Sequence, residues 1–577
     1  MADMLRLEVH NSPERRARAG SHGTPTLKTT ETIKDLETRD FETKLFSLIT
    51  SSAQLESAVK YRHVMMDMMK SYTDRLKLTD AIKRLNIVHV AGTKGKGSTC
   101  AFVDSILRSH GLKTGFFSSP HLVDVTERFR ICGVPITRET MLRSFFFVWD
   151  SLHSSKDSAG PYPPVPSFFR FLTLVGFKIF LDANVDVVIL EVGMGGRLDA
   201  TNIVTPIVCG ITPLDLDHTR VLGDTIEQIA YEKAGIIKPN VPCFTSTCQD
   251  PEGLEVIKEV AKKVGSRLRI VEPLGRDSKL VLGLKGGHQK ENAALAMALS
   301  NTFLEHHLRK KRKSCPGMDD EGVLDVPNLA VLPAPDDSKI SPNTIRGLLE
   351  CVWPGRTHTI DMPSDTWGKP GSSSVVFHLD GAHTRKSMEC CIKWFNEEIL
   401  MVNKSSKTTI VSALVFNCSH DRKCNLMFER LQHECEFNRV FLTPADYERP
   451  NNSKYSSPQS LLKEIGIEVN DDEGRELPKD ELPESTHHCR WQHIMGKVWD
   501  SIRARSERKN ASAEIMPSVS DTINTLQKFA AELPENTVLH VLFTGSLFMV
   551  GSALNSIGWK PRSGLSFQVE NGGMKLI

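Results

Sequence analysis

Lys96 lies in a glycine loop, Gly92-Thr93-Lys94-Gly95-Lys96-Gly97-Ser98, directly after the apolar run Ile87, Val88, Val90. A helical stripe follows, Phe102, Val103, Ile106 and Leu107, with Gly111 as its stop. Strand, glycine loop and helix in that order suit an anion. Backbone N–H groups converge, the helix start adds its positive end, and Lys96 reaches terminal phosphates, with Ser98 or Thr99 able to approach magnesium. The loop departs from the standard Walker pattern. One residue fewer precedes its Gly-Lys pair, and Gly97 stands where a Ser or Thr hydroxyl normally comes. The flanking strand and helix therefore carry the reading more than the letters do.

Glu191 is the second group. It stands near the carboxyl end of VDVVILEV (Val185 to Val192), a run otherwise too apolar to host a carboxylate without a partner, and magnesium is the obvious one. Lys233 is the third. Asp224 with Glu227 has capping-box spacing, so a helix is expected there with Ile226, Ile229 and Ala230 inward. Lys233 falls on that stripe, where desolvation lowers an amine's pKa and frees it to take up carbon dioxide as a carbamate; a snorkelling lysine is the plain alternative. Asp215, Asp217 and His218 match no derivable metal spacing, and a local turn network accounts for them if they stand alone.

These groups need a parallel sheet to bring them together. Strands are expected at Lys113 to Phe117, Val185 to Val192 and Ile207 to Thr212, and ligands gather at the carboxyl ends of such strands. Ser118-Ser119-Pro120-His121 closes the first of them. SFFRFLTLVGFKIFL (Ser167 to Leu181) reads as an aromatic helix, either core or a wall for a flat heterocycle. Asn292, near the start of the alanine-rich helix in GGHQKENAALAMAL, suits an adenine edge or a cap. The methionines at Met65, Met66, Met68 and Met69 read as core packing.

At 577 residues the chain exceeds one core, so two domains are expected. Residues 1–35 read as a disordered leader or transit peptide, 36–335 as the first domain with an insertion or linker at about 306–339, and 336–577 as the second. The second domain restarts with a helix at Pro342, with strands at Val375 to Leu379, Thr409 to Phe416, Val440 to Thr443 and Val538 to Phe543. Glu468 to Asn510 reads as a surface excursion. Net charge +2 gives no reason to expect nucleic acid or a membrane surface. Thirteen cysteines without a CxxC pair fit reduced thiols in a cytosolic or organellar compartment. Val538 to Leu554 is interrupted by His540, Gly545, Ser546 and Gly551, which excludes it as a membrane span.

The blocks GTKGKGS, GFFSSPHLV, EVGMGGRLDATNI, DHTRVLG, EKAGIIK, GGHQKENAALA, WPGRT, LDGAHT and FNCSHDR occur in one order. With them the chain resembles the folylpolyglutamate synthase family of the Mur ligase superfamily, from about residue 40 to the end, the insertions apart. The resemblance implies an α/β fold of two domains. The first is a P-loop ATPase-type parallel or mixed sheet with helices on both faces, and the second is a Rossmann-like domain. It also implies an ATP-dependent amide ligase that adds L-glutamate to the γ-carboxyl of a folate through an acyl phosphate. Magnesium is the implied cofactor, a monovalent cation such as K+ is compatible, and a monomer in the cytoplasm or mitochondrion is expected.

Carried over residue by residue, Gly95, Lys96, Gly97 and Ser98 would bind the triphosphate, and Asn292, Arg356 and Asp380 would contact ATP. Ser119, Glu191 and His218 match metal ligands, and Lys233 matches a lysine that is carbamylated in relatives. Lys96, His218 and Lys233 form the implied catalytic set. Phe169, Phe171 and Thr173 lie where relatives place the pterin. Phe548 after TGSL and His358 after WPGRT depart from the family pattern, and Met362 to Ser374 looks inserted. Dihydrofolate synthase, a peptidoglycan-type Mur ligase and a silent nucleotide-binding module are the alternatives.

Overall fold

Strands that are apolar on both sides must be covered on both faces, and here two sheets are. The computed structural model describes residues 33–48, 64–313, 329–362, 367, 374–405, 409–419, 422–445, 484–486, 488–559, 567–570 and 573–576. The first sheet contains β1 (Ile87–Ala91), β2 (Thr114–Phe117), β3 (Phe129–Ile131), β4 (Val134–Pro135), β5 (Val187–Glu191), β6 (Val208–Ile211), β7 (Cys243–Ser246), β8 (Leu268–Val271) and β9 (Leu329–Leu332). Their order is β4-β3-β2-β5-β1-β6-β7-β8-β9. Only β2–β3 and β3–β4 pair antiparallel, so the sheet is mixed. The helices that bear on function are α1 (Lys96–Ser109), α2 (Phe168–Ala183), α3 (Ile226–Ala234), α4 (Gln289–Lys313), α5 (Pro342–Leu349) and α6 (Arg490–Arg503).

Alternation along the strands divides the two faces. Ile87, Val188 and Leu190 join the core beneath α2, while Val88, Val90, Val187 and Ile189 join the core beneath α1 and α4. Such burial, at about 25 cal/mol per Å² of apolar surface, is what holds the strand ends in register. The second sheet contains β10 (His358–Met362), β11 (Ser374–Leu379), β12 (Thr409–Phe416), β13 (Arg439–Leu442), β14 (Ala513–Ile515) and β15 (Thr537–Thr544), in the order β10-β11-β15-β12-β13-β14. All its pairs are parallel but β10–β11. A core lies on each face, one around Trp394, Phe428 and Trp499, the other around Phe377, Phe441 and Leu539.

Several expectations change. The helix at Pro342, assigned above to the second domain, belongs with the first: Leu348 and Cys351 enter the core beneath α1, and Arg346 Nη2 donates to the Ser109 carbonyl at 3.1 Å. The crossing between domains therefore falls at Trp353 to Thr357, after α5 rather than before it. Within the expected linker, α4 continues to Lys313 and β9 adds an edge strand parallel to β8. Residues 314–328 lie outside the described residues. The excursion expected to Asn510 instead contains α6, whose Trp491, Met495, Val498 and Trp499 are buried in the second-domain core. Charged residues on its outer face hid that stripe in the composition. Residues 468–483 and the leader up to residue 32 lie outside the described residues, and a helix already covers Ile33–Ser47.

The cap of α3 also shifts by one residue. Thr225, not Asp224, is the N-cap, its hydroxyl accepting from Gln228 N, while the Gln228 side chain accepts from Asp224 N. Ile229, Ala230 and Lys233 are buried on that helix as the stripe predicts.

Candidate active site

The loop after β1 is held from below and from the side. Thr93 N and Lys94 N both donate to the Pro213 carbonyl, at 3.1 and 3.0 Å, tying the loop to the chain leaving β6. Gly95 takes φ +84 at the start of α1, and a Cβ there would run into Asn292 Oδ1. Asn292 is buried, accepts from Thr99 Oγ1 at 3.4 Å and donates to Gln289 Oε1 at 2.9 Å. It supports the loop from inside α4 and caps nothing. Ser98 is buried in the first turn of α1.

Two lysines share one carbonyl of this loop. Lys96 Nζ donates to Gly92 O at 3.0 Å and to Thr93 O at 3.4 Å, and Lys233 Nζ donates to Gly92 O at 2.8 Å. Burial and the neighbouring Lys96 bring the Lys233 amine down to about 7, against the pull of Asp217 and Asp199. A far larger share of it is then uncharged at neutral pH than of a solvated lysine. The helix that carries it is fixed to the glycine turn after β5: Arg197 N donates to Glu232 O at 2.7 Å and Arg197 Nη2 to Glu232 Oε1 at 2.8 Å.

Parallel pairing puts Val90 opposite Glu191, so the carboxylate stands at the sheet edge beside the loop. It is 4% exposed, and Oε2 accepts from Ser119 N at 3.0 Å. Oε1 lies 3.6 Å from the point a Cβ on Gly97 would occupy. Burial raises the Glu191 pKa, while Lys96, the Ser119 N–H, Arg356 and Arg128 oppose the rise. A carboxylate kept there with one backbone donor suits a hard cation. Among the described residues no group of three or more His, Cys, Asp or Glu side chains could hold a metal. Glu191 and Ser119 line one cleft, and with nucleotide oxygens they are the sparse protein set a magnesium ion accepts.

His218 precedes the turn Thr219–Leu222 with φ 52, and its N–H donates to Asp217 Oδ1 at 2.9 Å. Burial brings its imidazole down to about 4 against the attraction of Asp217, so the ring is neutral and able to act as a ligand at physiological pH. Burial would raise Asp217, but His218, Lys94 and Arg422 outweigh it and hold the carboxyl below its usual range.

The second domain closes this region. A cleft open to solvent is lined by Gly97, Ser119, Glu191, Arg130, Trp353 and Arg356, among others. Arg356 faces Asp380 and Glu191 electrostatically, and Asp380 Oδ2 accepts from Thr357 N at 2.8 Å. Arg422 Nη1 stands 3.5 Å from Asp217 Oδ1 and Lys386 Nζ 3.8 Å from Asp215 Oδ1, both across the domain boundary. Lys96, Gly97, Ser119, Glu191 and Arg356 are thus brought together, with Asn292 below, Asp380 behind, and His218 and Lys233 at the loop's other flank.

Phe171 and Thr173 are not brought to the cleft. Phe171 packs at 4.9 Å on Phe145 and is fully buried, and Thr173 Oγ1 donates to its own helix at Phe169 O. Phe169 alone reaches the strand-end turn, where a Cβ on Gly193 would meet its ring. Lys94, Arg130, Trp353 and Arg422 are the residues sequence reasoning passed over. The alternation Phe129, Arg130, Ile131 on β3 was the available signal for Arg130, since it sends the arginine to the face opposite the two apolar residues.

No family model matches the chain. Among curated proteins, folylpolyglutamate synthase, mitochondrial, of Bos taurus is 39% identical over 71% of this chain and 68% of its own length. Folylpolyglutamate synthase of Arabidopsis thaliana is 36% identical over 89% of this chain and 87% of its own. Among solved structures, the Mycobacterium tuberculosis folylpolyglutamate synthase complexed with ADP and AMPPCP superposes with a TM-score of 0.59 at 22% identity, covering 88% of this chain and 100% of that one. On the identity and coverage of the curated relatives, the chain belongs to the folylpolyglutamate synthase family.

Proposed function

We propose that this protein is an ATP-dependent ligase that adds L-glutamate to the γ-carboxyl of tetrahydrofolate and of its polyglutamates. The observation that carries the reading is the convergence of Glu191 and Arg356, from two domains, on one cleft, with Lys96 close enough to act electrostatically on Glu191. Relatives named for the reaction and a structural neighbour complexed with ADP and AMPPCP support it.

A carboxylate is a poor electrophile, so the γ-phosphoryl group of ATP passes first to the folate carboxylate, and ADP leaves. The amine of glutamate then attacks the acyl carbon; a C–N bond forms, the C–O bond to phosphate breaks, and the amine gives up a proton. No enzyme nucleophile is needed, and the protein contributes positioning and charge. The N–H groups of Gly95 to Ser98 and the Lys96 ammonium hold the triphosphate, Asn292 keeps the loop in shape, and Arg356, backed by Asp380, brings positive charge from the second domain. Glu191, Ser119 and His218 are the residues that would hold magnesium ions, and Lys233 as a carbamate would supply an oxygen ligand to a second metal. When bound, the metal offsets the charge of two anions brought face to face. Lys233 would reach that state by attack of its neutral amine on carbon dioxide with loss of one proton.

The test is product mass after incubation with ATP, magnesium, tetrahydrofolate and glutamate. Successive glutamyl increments are expected; a product only from dihydropteroate would instead make the protein a dihydrofolate synthase. Lys96→Ala should abolish incorporation while keeping the fold, and full retained activity would refute its role. Among the described residues no helix is long and apolar enough to cross a membrane. A monomer in the cytoplasm or the mitochondrion fits, and imaging fusions with and without the first thirty residues decides the compartment.

A further inference from the structure

Gly97 is unexplained by its backbone. Standard phosphate loops put a hydroxyl residue at this place, and Gly97 is not among the glycines with positive φ, so its conformation does not require glycine. Space does. A Cβ at 97 would lie 3.0 Å from Trp353 Nε1 and 3.5 Å from Trp353 Cε2. The indole of the interdomain connector therefore rests on the loop where a Walker hydroxyl side chain would project.

That indole is held by the first domain. The Phe116 ring on β2 stacks against it with centroids 5.1 Å apart and planes 28° apart, and the Arg130 guanidinium lies 4.8 Å from its centroid. Arg130 is itself 8% exposed, donates through Nη1 to Gly133 O, and has no partner for Nε. Nor does any described residue accept from the Trp353 N–H. Both residues line the cleft. Arg356 follows within the same Trp-Pro-Gly-Arg segment, where Arg356 N donates to Trp353 O at 3.3 Å. The turn that seats the indole is thus also the turn that carries the arginine facing Glu191.

We propose that Trp353 is a positioning residue for the ligation: its indole fills the space left open by Gly97 and sets where the connector delivers Arg356. The proposal rests on the reading of the cleft as the ligase site, but its core is a steric coupling that can be measured without turnover. A cation–π contact and an aromatic stack together hold the ring to an order of magnitude in population, enough to matter for a contact needed in each cycle.

The experiment is a double-mutant cycle on the full chain. Gly97→Ala should overpack the contact, lower the melting temperature of the nucleotide-free protein, and weaken binding of a fluorescent ATP analogue roughly tenfold. In a Trp353→Ala background the same alanine should cost less than about twofold in binding and nothing in melting temperature. Equal penalties in the two backgrounds overturn the proposal. Trp353→Ala alone should lower kcat with little change in the KM for folate, and Trp353→Phe, which keeps the stack and the guanidinium contact, should restore most of kcat. A phenylalanine variant no better than alanine also overturns it. If the parent binds the analogue but ligates nothing, the ligase reading fails, while the coupling in melting temperature still decides the steric claim.

Discussion

Glu191→Gln separates what the site costs from what it does. The side chain keeps its volume and an oxygen for the Ser119 N–H, now 3.0 Å from Oε2, but loses its charge. At a separation of about 4 Å and an effective dielectric of about 20, a unit charge interacts with another by about 4 kcal/mol, and with a divalent ion by about twice that. Loss of hydration on binding cancels part of this. A residual of about 3–4 kcal/mol remains, or between a hundredfold and a thousandfold in rate. Ligation, followed by product mass at saturating ATP and magnesium, should therefore fall by at least a hundredfold. Stability should move the other way. Because burial is the largest influence on this carboxylate and raises its pKa, the neutral amide suits the site better, so in chelator the variant should melt no lower than the parent at neutral pH. A variant that keeps more than a tenth of the parent's ligation, or that melts several degrees lower without metal, refutes the assignment of Glu191 as a strained metal ligand.

Trp499→Ala removes a fully buried indole that donates to Ala511 O at 3.0 Å and meets Phe428 edge-on at 5.2 Å; chemical denaturation should show a loss of about 3–5 kcal/mol, against near zero for a surface residue. Thr225→Ala should cost about 1 kcal/mol at the α3 cap and speed hydrogen exchange in that helix, while Asp224→Ala should do neither. The buried pair His378 and His540, 2.9 Å apart, makes stability depend on acid: burial depresses His378 strongly and His540 to about 4. Both folded values lie below that of the unfolded chain, near 6.5, so stability is complete above that pH and is lost as pH falls towards 4. His540 alone should remove about 2 kcal/mol by pH 5. His540→Leu should flatten the denaturation midpoint between pH 7 and pH 5 relative to the parent, and an unchanged slope would contradict the assignment.

What was legible in the sequence follows from local rules. Apolar runs specify strands without reference to the rest of the chain, so β1, β2, β5 and β6 fall within a residue or two of expectation. A charge stranded in such a run announces itself, and Glu191 did, whereas Lys96 stood out by its glycine loop and Lys233 only by its place on a helix stripe. Threonine and aspartate in adjacent positions both satisfy a helix start, and only the packed turn decided that Thr225 does so. Phe171 and Thr173 fit a ligand wall and a core equally well by type, and in the folded chain both are buried, Phe171 against Phe145 of another helix. The crossing point between domains, the inward face of α6 and the seat of Trp353 on Gly97 depend on contacts between segments far apart in the chain. One chain segment carries its own periodicity but no record of what will lie against it, and that was left to the folded molecule.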